Sequence, residues 1–287
     1  MKIAFATYRE LPELDPDDRP VAQELRRRGC ELVPAIWDAE DVDWGAFDAV
    51  VMRSCWDYDQ RPQAFLDWMG ALEESGVALH NPAAVLRWNL DKRHLGELAA
   101  AGVGVPPLAF VERGAERSLE SVLDELGCEQ AVAKPIVSMS ANGTWRTSRE
   151  QLARDGARWA EQLRGAALML QRFQPEIASE GEISLVYLGG AYSHASRKRP
   201  APGDFRVQNE LGGSRAPIEA PAAWVQWGSA VLERCPGPQL YARVDFVPTA
   251  EGLLLMEVEL IDPSLYLDDA PGSVERFAEA ILRVAGA

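Results

Sequence analysis

Residues 243–264 read RVDFVPTAEGLLLMEVELIDPS. Two strand-like runs, 242–247 and 253–260, flank a short segment ending in Gly252. Together they predict a β-hairpin whose three-residue loop, Ala250, Glu251 and Gly252, uses that glycine at positive φ. The loop sets the register, so that Thr249 faces Leu253, Asp245 faces Glu257 and Arg243 faces Glu259. Side chains alternate along a strand, so all four charged groups share one face, while Val244, Phe246, Met256, Val258 and Leu260 form the other. Such a hairpin is apolar toward a core and charged toward something else. Three carboxylates on one face repel one another unless cations stand between them, and a hard divalent ion with oxygen ligands suits them. A solvated hairpin face is the alternative.

The chain around this hairpin has 287 residues with 47% apolar content, enough for a sizeable core divided into two or three subdomains. Its 29 Lys and Arg against 44 Asp and Glu give a net charge of −15. No basic block offsets this, which argues against nucleic acid or an anionic membrane as partner. The run Arg26–Arg28 closes a predicted helix, where cations complement the dipole. No apolar run approaches the roughly 20 residues that span a bilayer, and MKIAFATYRE lacks the apolar centre of a signal peptide, so a cytoplasmic protein is expected. Cys30, Cys55, Cys128 and Cys235 lie far apart without a CxxC pair, which indicates neither a zinc site nor a disulfide framework.

The first 80 or so residues alternate strand and helix and predict a small parallel α/β layer without the GxGxxG dinucleotide fingerprint. Pro82 opens a predicted helix that runs through Lys92 and closes at Gly102. A strand, a helix and the strand QAVAKP follow, then a glycine-bearing loop, a long helix near 149–164 and the strand LMLQRF. The stretch 181–198 is β-rich, with Gly189-Gly190 as a hairpin signal. Residues 221–235 read as a helix, and a terminal helix starts at Ser273.

Lys134 ends an apolar strand and leads into Ser138, Ser140, Asn142, Gly143 and Thr144. A lysine before a small-residue loop can cradle phosphates through its ammonium, hydroxyls and backbone N–H groups, although GxxxxGK[ST] is absent and such loops are often only turns. Lys92, taken singly, reads as a solvated helix lysine. Set beside an acidic metal-binding face, the two lysines and Lys198 form the basic half of a nucleotide site, because triphosphate needs several cationic partners. His80, His94 and His194 read as structural.

The element order and its markers resemble the ATP-grasp ligases, in particular the glutathione synthetase and D-alanine:D-alanine ligase branches. The markers are VVMR (50–53), NP (81–82), NLDK (89–92), VAKP (132–135), LQRFQPEI (170–177), GEISL (181–185), GDFRVQNELGG (203–213), RVDF (243–246) and MEVELIDPS (256–264). The resemblance implies a mixed fold, α/β in its N-terminal parallel layer and α+β overall, with two α+β subdomains clasping ATP. It implies domains at 1–82, 83–174 and 175–287. It also implies ATP and two Mg²⁺ ions as cofactors, with Mn²⁺ as the alternative metal, small-molecule substrates and a homodimer.

By the same resemblance, Lys92 and Lys134 contact phosphates and Ser138–Thr144 is the mobile lid over them, with Ser138, Ser140, Gly143 and Thr144 at the nucleotide. Gln171, Arg172, Phe173 and Gln174 are the hinge that reads adenine through backbone groups, with Phe173 as plain core the alternative. Glu182 holds the ribose, Lys198 and Arg206 face the phosphates and the reacting carboxyl, and Arg243 stabilises the transferred phosphoryl group. Asp245, Glu257 and Glu259 hold the metal, although both branches commonly place asparagine where this chain has Glu259.

The implied reaction activates a carboxylate as an acylphosphate, which an amine then attacks. Arg206 and the N–H groups of Gly212 and Gly213 would meet the oxyanion. Arg53, Ser54, Trp56, Asp57 and Tyr58 follow an apolar strand, where open α/β layers place ligand residues, and Arg53 is a candidate clamp for a substrate carboxylate; a loop tied down by aromatic packing is the alternative. RSCWDY, GDFRVQ and EVELIDPS look most like the group near the cycloserine-forming ligase, which points to amide formation or ring closure on a small amino-acid-like substrate. A bicarbonate-activating carboxylase and an ATP-binding regulator without turnover are the competing readings.

Overall fold

The computed structural model describes residues 1–208 and 211–286; Asn209 and Glu210 of the GDFRVQNELGG marker lie outside the described residues. Strands β1 (Lys2–Thr7), β2 (Glu31–Ile36), β3 (Ala49–Ser54) and β4 (Ala78–His80) alternate with helices α1 (Arg19–Arg27) and α2 (Pro62–Ser75). The strands form a parallel sheet in the order β2-β1-β3-β4. All of β3 and most of β1 are buried, as continuous apolar runs require when both faces of a parallel sheet are covered.

The helix expected from Pro82 to Gly102 is broken. Helix α3 (Ala83–Leu90) ends at Asp91, whose backbone is extended, and α4 (His94–Ala100) starts again at His94. Lys92 lies in the break, where its N–H donates to Ile136 O at 2.9 Å. It is 8% exposed, so the reading as a solvated helix lysine does not hold. The apolar spacing continues across the break, which is why periodicity alone reads one helix.

Strand β5 (Leu108–Val111), helix α5 (Leu119–Leu126), β6 (Gln130–Pro135), β7 (Trp145–Ser148), α6 (Leu152–Gly165) and β8 (Leu168–Arg172) build an antiparallel sheet in the order β5-β8-β6-β7. After the short α7 (Glu176–Ser179), a second antiparallel sheet follows in the order β11-β10-β9-β12-β13. Its strands are β9 (Glu182–Leu188), β10 (Ala191–Arg199), β11 (Ser214–Ile218), β12 (Tyr241–Thr249) and β13 (Gly252–Glu259), with α8 (Ala222–Leu232) and the terminal α9 (Ser273–Ala285). Gly189 and Gly190 both take positive φ in the β9–β10 turn, as that glycine pair demands.

The β12–β13 hairpin has Arg243 opposite Glu259 and Asp245 opposite Glu257, as its spacing requires. Nearer the turn the register slips by one, so Thr249 faces Gly252 rather than Leu253 and the loop is two residues long. Gly252 does take positive φ, at 126°. The slip is a β-bulge that leaves Met256 without a partner and turns it away from the core of Val244, Phe246, Leu255, Val258 and Leu260. Met256 packs instead with Ile177, Val207 and Val247 and lines the cleft beside Glu257.

Two asparagines fasten this sheet to the preceding segments. Asn81 donates to Tyr241 O at 3.0 Å and Leu260 O at 2.7 Å, and accepts from Leu240 N at 2.6 Å. Asn89 donates to Val258 O and accepts from Leu260 N, both at 2.7 Å. Asn89 thereby satisfies part of the edge that β13 would otherwise leave open.

Candidate active site

The charged hairpin face is no solvated surface; it forms one wall of a cleft between the two antiparallel sheets. The cleft is also lined by Lys92, Lys134, Lys198, Arg206 and Glu182, by parts of the 138–144 loop, and by Trp56 and Tyr58 from beyond β3. Groups far apart in sequence are thereby brought to one place.

Lys92 Nζ donates to Ser138 O at 2.6 Å and lies 3.6 Å from Glu257 Oε1. Lys134, at the end of β6, donates to Gln171 Oε1 at 3.2 Å, and desolvation lowers its ammonium below the ordinary lysine range. The loop between β6 and β7 lines the cleft with Ser138, Ser140 and Thr144. Ser140 and Ala141 take left-handed backbone, an unfavourable conformation for side-chain-bearing residues that concentrates at ligand sites. Gly143 is not among the lining residues; a Cβ there would come within 2.9 Å of Pro135 Cγ, so this glycine permits the loop to fold back.

Lys198 is 6% exposed and holds two carboxylates, Glu182 at 2.6 Å and Asp245 at 2.9 Å. Burial works against its charge, but Asp245 and Glu182 outweigh it and raise its proton affinity above the ordinary range. Asp245 also accepts from Ser184 Oγ at 2.6 Å and from Arg243 Nη2 at 3.0 Å. Against burial, Arg243 and Lys198 hold its carboxyl well below the usual range. Asp245 is thus engaged by Lys198, Arg243 and Ser184 and lies behind the cleft lining, as the counter-ion of Lys198 and Arg243. The guanidinium of Arg243 is likewise committed, to Asp245, to Glu259 and to Ser264 O at 3.0 Å.

Glu257 and Glu259 do line the cleft. Burial opposes the Glu257 carboxylate, yet Lys92 and Lys134 hold its carboxyl below the usual range. For Glu259, burial, opposed by Arg243 and reinforced by Glu257 and Asp245, pushes the carboxyl up to about 7. Two hard oxygen donors side by side on one wall fit a divalent cation. Among the described residues no three metal-ligating side chains are gathered as a ready-made cluster.

The hinge residues Gln171, Arg172, Phe173 and Gln174 all line the cleft. Two of the backbone donors expected to read adenine are already used: Arg172 N donates to Pro107 O at 2.8 Å and Phe173 N to Gln130 O at 3.0 Å. Gln171 Nε2 is buried without a partner and is a hinge donor left for a ligand. Phe173 is not plain core; it lies under the Arg146 guanidinium at 3.8 Å and edge-on to Phe205 at 6.3 Å.

Three further expectations are corrected. Arg53 is 1% exposed and is no clamp for a substrate carboxylate: it pairs with Asp18 at 2.7 Å, donates to Pro263 O at 3.1 Å and stacks on Tyr241 and Phe277. Ser54 also bonds Asp18, and Asp57 accepts from Trp37 Nε1 at 2.7 Å and from Arg61, so neither lines the cleft. Gly213 N–H donates to Gln208 O at 3.1 Å and is not free for an oxyanion; a Cβ there would stand 2.3 Å from Val207 O, which accounts for the glycine. Arg206 remains at the cleft wall, paired with Asp204 at 2.8 Å.

Sequence reasoning missed Asp262 and Tyr266, both cleft residues. The Tyr266 backbone is left-handed at φ 52°, and its ring lies between Arg215 at 4.4 Å and Arg243 at 5.3 Å. The one available signal was the segment DPSLY, in which strand alternation stops while the polar marker continues.

Residues 3–81 match the family model of the D-cycloserine synthetase DcsG N-terminal domain. The cycloserine biosynthesis protein DcsG of Streptomyces lavendulae is 30% identical over 97% of both chains. The crystal structure of D-cycloserine synthetase DcsG superposes with a TM-score of 0.89 at 28% identity, covering 99% of this chain and 100% of that one. The D-alanine–D-alanine ligase of Bacillus anthracis complexed with ATP shares the fold, with a TM-score of 0.70 at 17% identity over 99% of this chain and 98% of that one. A cleft with a basic and an acidic wall and a relative matched over 97% of both chains thus agree: the chain belongs to the ATP-grasp carboxylate–amine ligases, in the family of DcsG.

Proposed function

We propose that this ligase activates the carboxylate of a small amino-acid-like substrate as an acylphosphate and releases ADP and phosphate as a nitrogen closes the C–N bond. The observation that carries this is the pairing of Glu257 and Glu259 with Lys92, Lys134 and Lys198 around one cleft. The γ-phosphoryl group passes to the substrate carboxylate, and the nitrogen then displaces phosphate through a tetrahedral intermediate. Lys92 and Lys134 neutralise phosphate oxygens beneath the 138–144 loop, and Arg206 faces the oxyanion. Glu182, already bonded to Lys198, accepts from the ribose hydroxyls, and Gln171 Nε2 meets the adenine edge. Arg243 and Lys198, fixed by Asp245, keep the acidic wall in place.

Glu257 and Glu259 would hold divalent metal, two Mg²⁺ ions or Mn²⁺ in their stead; when bound, the metal neutralises charge that develops on the transferred phosphoryl group. Similarity to the cycloserine biosynthesis protein supports ring closure within one substrate molecule rather than joining of two. The homodimer expected of this class is checked by light scattering against the chain mass of 31.5 kDa.

The test supplies MgATP, a panel of D- and L-amino acids, and hydroxylamine, which traps acylphosphates as hydroxamates. ADP, phosphate and hydroxamate are expected. Release of AMP and pyrophosphate overturns the reading, turnover with bicarbonate alone turns it to a carboxylase, and tight ATP binding without turnover turns it to a regulator.

A further inference from the structure

One wall of the cleft is left unused by these roles. Residues 55–58 follow β3 and Asp262 follows β13, and the two segments are tied where they meet. Cys55 N–H donates to Asp262 Oδ2 at 2.8 Å, and Trp56 Nε1–H donates to the Asp262 carbonyl at 3.3 Å. Trp56, Tyr58 and Asp262 all line the cleft. Asp262 is 6% exposed, and the guanidinium whose charge acts on it, Arg53, is already bonded to Asp18. Burial, partly offset by Arg53 and by the Cys55 N–H, pushes its carboxyl up to about 8. A buried carboxyl that faces a ligand cavity without a paired cation stays neutral and ionises when a cation arrives. The aromatic rings beside it suit an organic cation.

We propose that Asp262, framed by Trp56 and Tyr58, receives the ammonium group of the amino-acid-like substrate, so that the N-terminal sheet selects for a primary amine while the substrate carboxylate points toward the phosphoryl side. This rests on the ligase reading above. It assigns the 55–58 segment a binding function through its aromatic residues and the carboxylate they frame, after Arg53, Ser54 and Asp57 proved to be engaged elsewhere.

Asp262→Asn keeps an oxygen acceptor for the Cys55 N–H and removes the charge. Wild type and variant are compared in the hydroxamate assay with MgATP and D- and L-serine and alanine, each beside its des-amino acid, 3-hydroxypropanoate or propanoate. Wild type is expected to prefer the amine-bearing compounds at least tenfold in KM. Asp262→Asn raises their KM at least tenfold and abolishes the preference, with the KM for ATP unchanged, and Asp262→Glu restores part of it. Retained preference in Asp262→Asn, or an equal loss of kcat on both compound classes at unchanged KM, overturns the proposal. Calorimetric binding of the same compounds to wild type decides the matter even where the variant does not fold: equal affinity for both classes overturns it. Absence of any hydroxamate or ADP from wild type, with amine preference still seen by calorimetry, counts against the ligase reading and for this subsite.

Discussion

The seam between the N-terminal sheet and the hairpin sheet, and the cleft face of that hairpin, both bury charge and polar groups, but they treat them differently. At the seam, Arg53 is bonded to Asp18 and Pro263 O, Asn81 makes three short hydrogen bonds to main chain, and the Tyr241 hydroxyl donates to Ile261 O at 2.6 Å and lies 2.8 Å from Met52 O. At the cleft, burial pushes the Asp262 carboxyl up to about 8 with no cation bonded to it, and Gln171 Nε2 has no partner. At the seam these bonds tie the two sheets together, although Arg53 Nη1 is itself left without a partner, whereas the incomplete groups of the cleft face a cavity that a ligand can fill.

The strongest way to break this contrast is to remove a cleft carboxylate. Glu257→Gln is isosteric and leaves Lys92 its bond to Ser138 O. Turnover should fall about 10³-fold, as when one preorganised electrostatic group at a reacting centre is lost, while the melting temperature stays within about 2 °C. Near-normal phosphate release would remove Glu257 from the site.

The mirror experiment is at the seam. Arg53→Met leaves Asp18 buried with only the Ser54 hydroxyl and should cost about 3 kcal/mol or more of stability, read from urea unfolding. The folded fraction should keep its KM values for ATP and substrate. A changed substrate KM at unchanged stability would return Arg53 to the substrate-binding role that its position in the sequence invites.

Arg53 shows what a sequence conveys and where it stops. The β12–β13 register was legible because side-chain alternation and a single glycine fix which charges oppose each other, so Arg243, Asp245, Glu257 and Glu259 could be placed on one face. Lys134 at a strand end and the parallel alternation of β1 to β4 were legible for the same local reason. The partner of Arg53 lies 35 residues away in one direction and its carbonyl contact 210 residues away in the other, and no local pattern encodes either. The break at Asp91–Lys92 and the bulge at Met256 were illegible because each preserves apolar spacing while rotating one residue into the cleft.

The contrast predicts a pH dependence. The folded chain keeps the Asp262 proton up to about 8, against an ordinary value of 3.8. Between these values the folded state binds more protons than the unfolded one, so this group makes stability fall as pH rises, by up to about 1.4 kcal/mol per pH unit. Buried Asp17 and Asp18 are raised too and act with the same sign, so the informative quantity is the difference between proteins. Urea unfolding from pH 5 to 8 should show a shallower decline for Asp262→Asn than for wild type. Parallel curves would mean that Asp262 is already ionised and satisfied, like the groups of the seam.

The smallest expected effect lies where the two regions touch. Asp59, just before α2, accepts from Met139 N at 3.4 Å and Asn142 Nδ2 at 3.2 Å, linking the phosphate loop to the N-terminal sheet. Both bonds are long and one is exposed, so together they contribute about 1 kcal/mol. Asp59→Ala should therefore raise the KM for ATP about 2- to 5-fold, with kcat within about twofold of wild type, because the loop loses a support but keeps its chemistry. The loop also has internal bonds, Asn142 N to Met139 O at 2.8 Å and Thr144 N to Ala141 O at 3.0 Å. An unchanged KM would show that these suffice, making the cleft independent of the seam. A much larger rise would show that the loop takes its shape from the N-terminal sheet, so that substrate bound near Asp262 and nucleotide bound near Lys134 are coupled through Asp59.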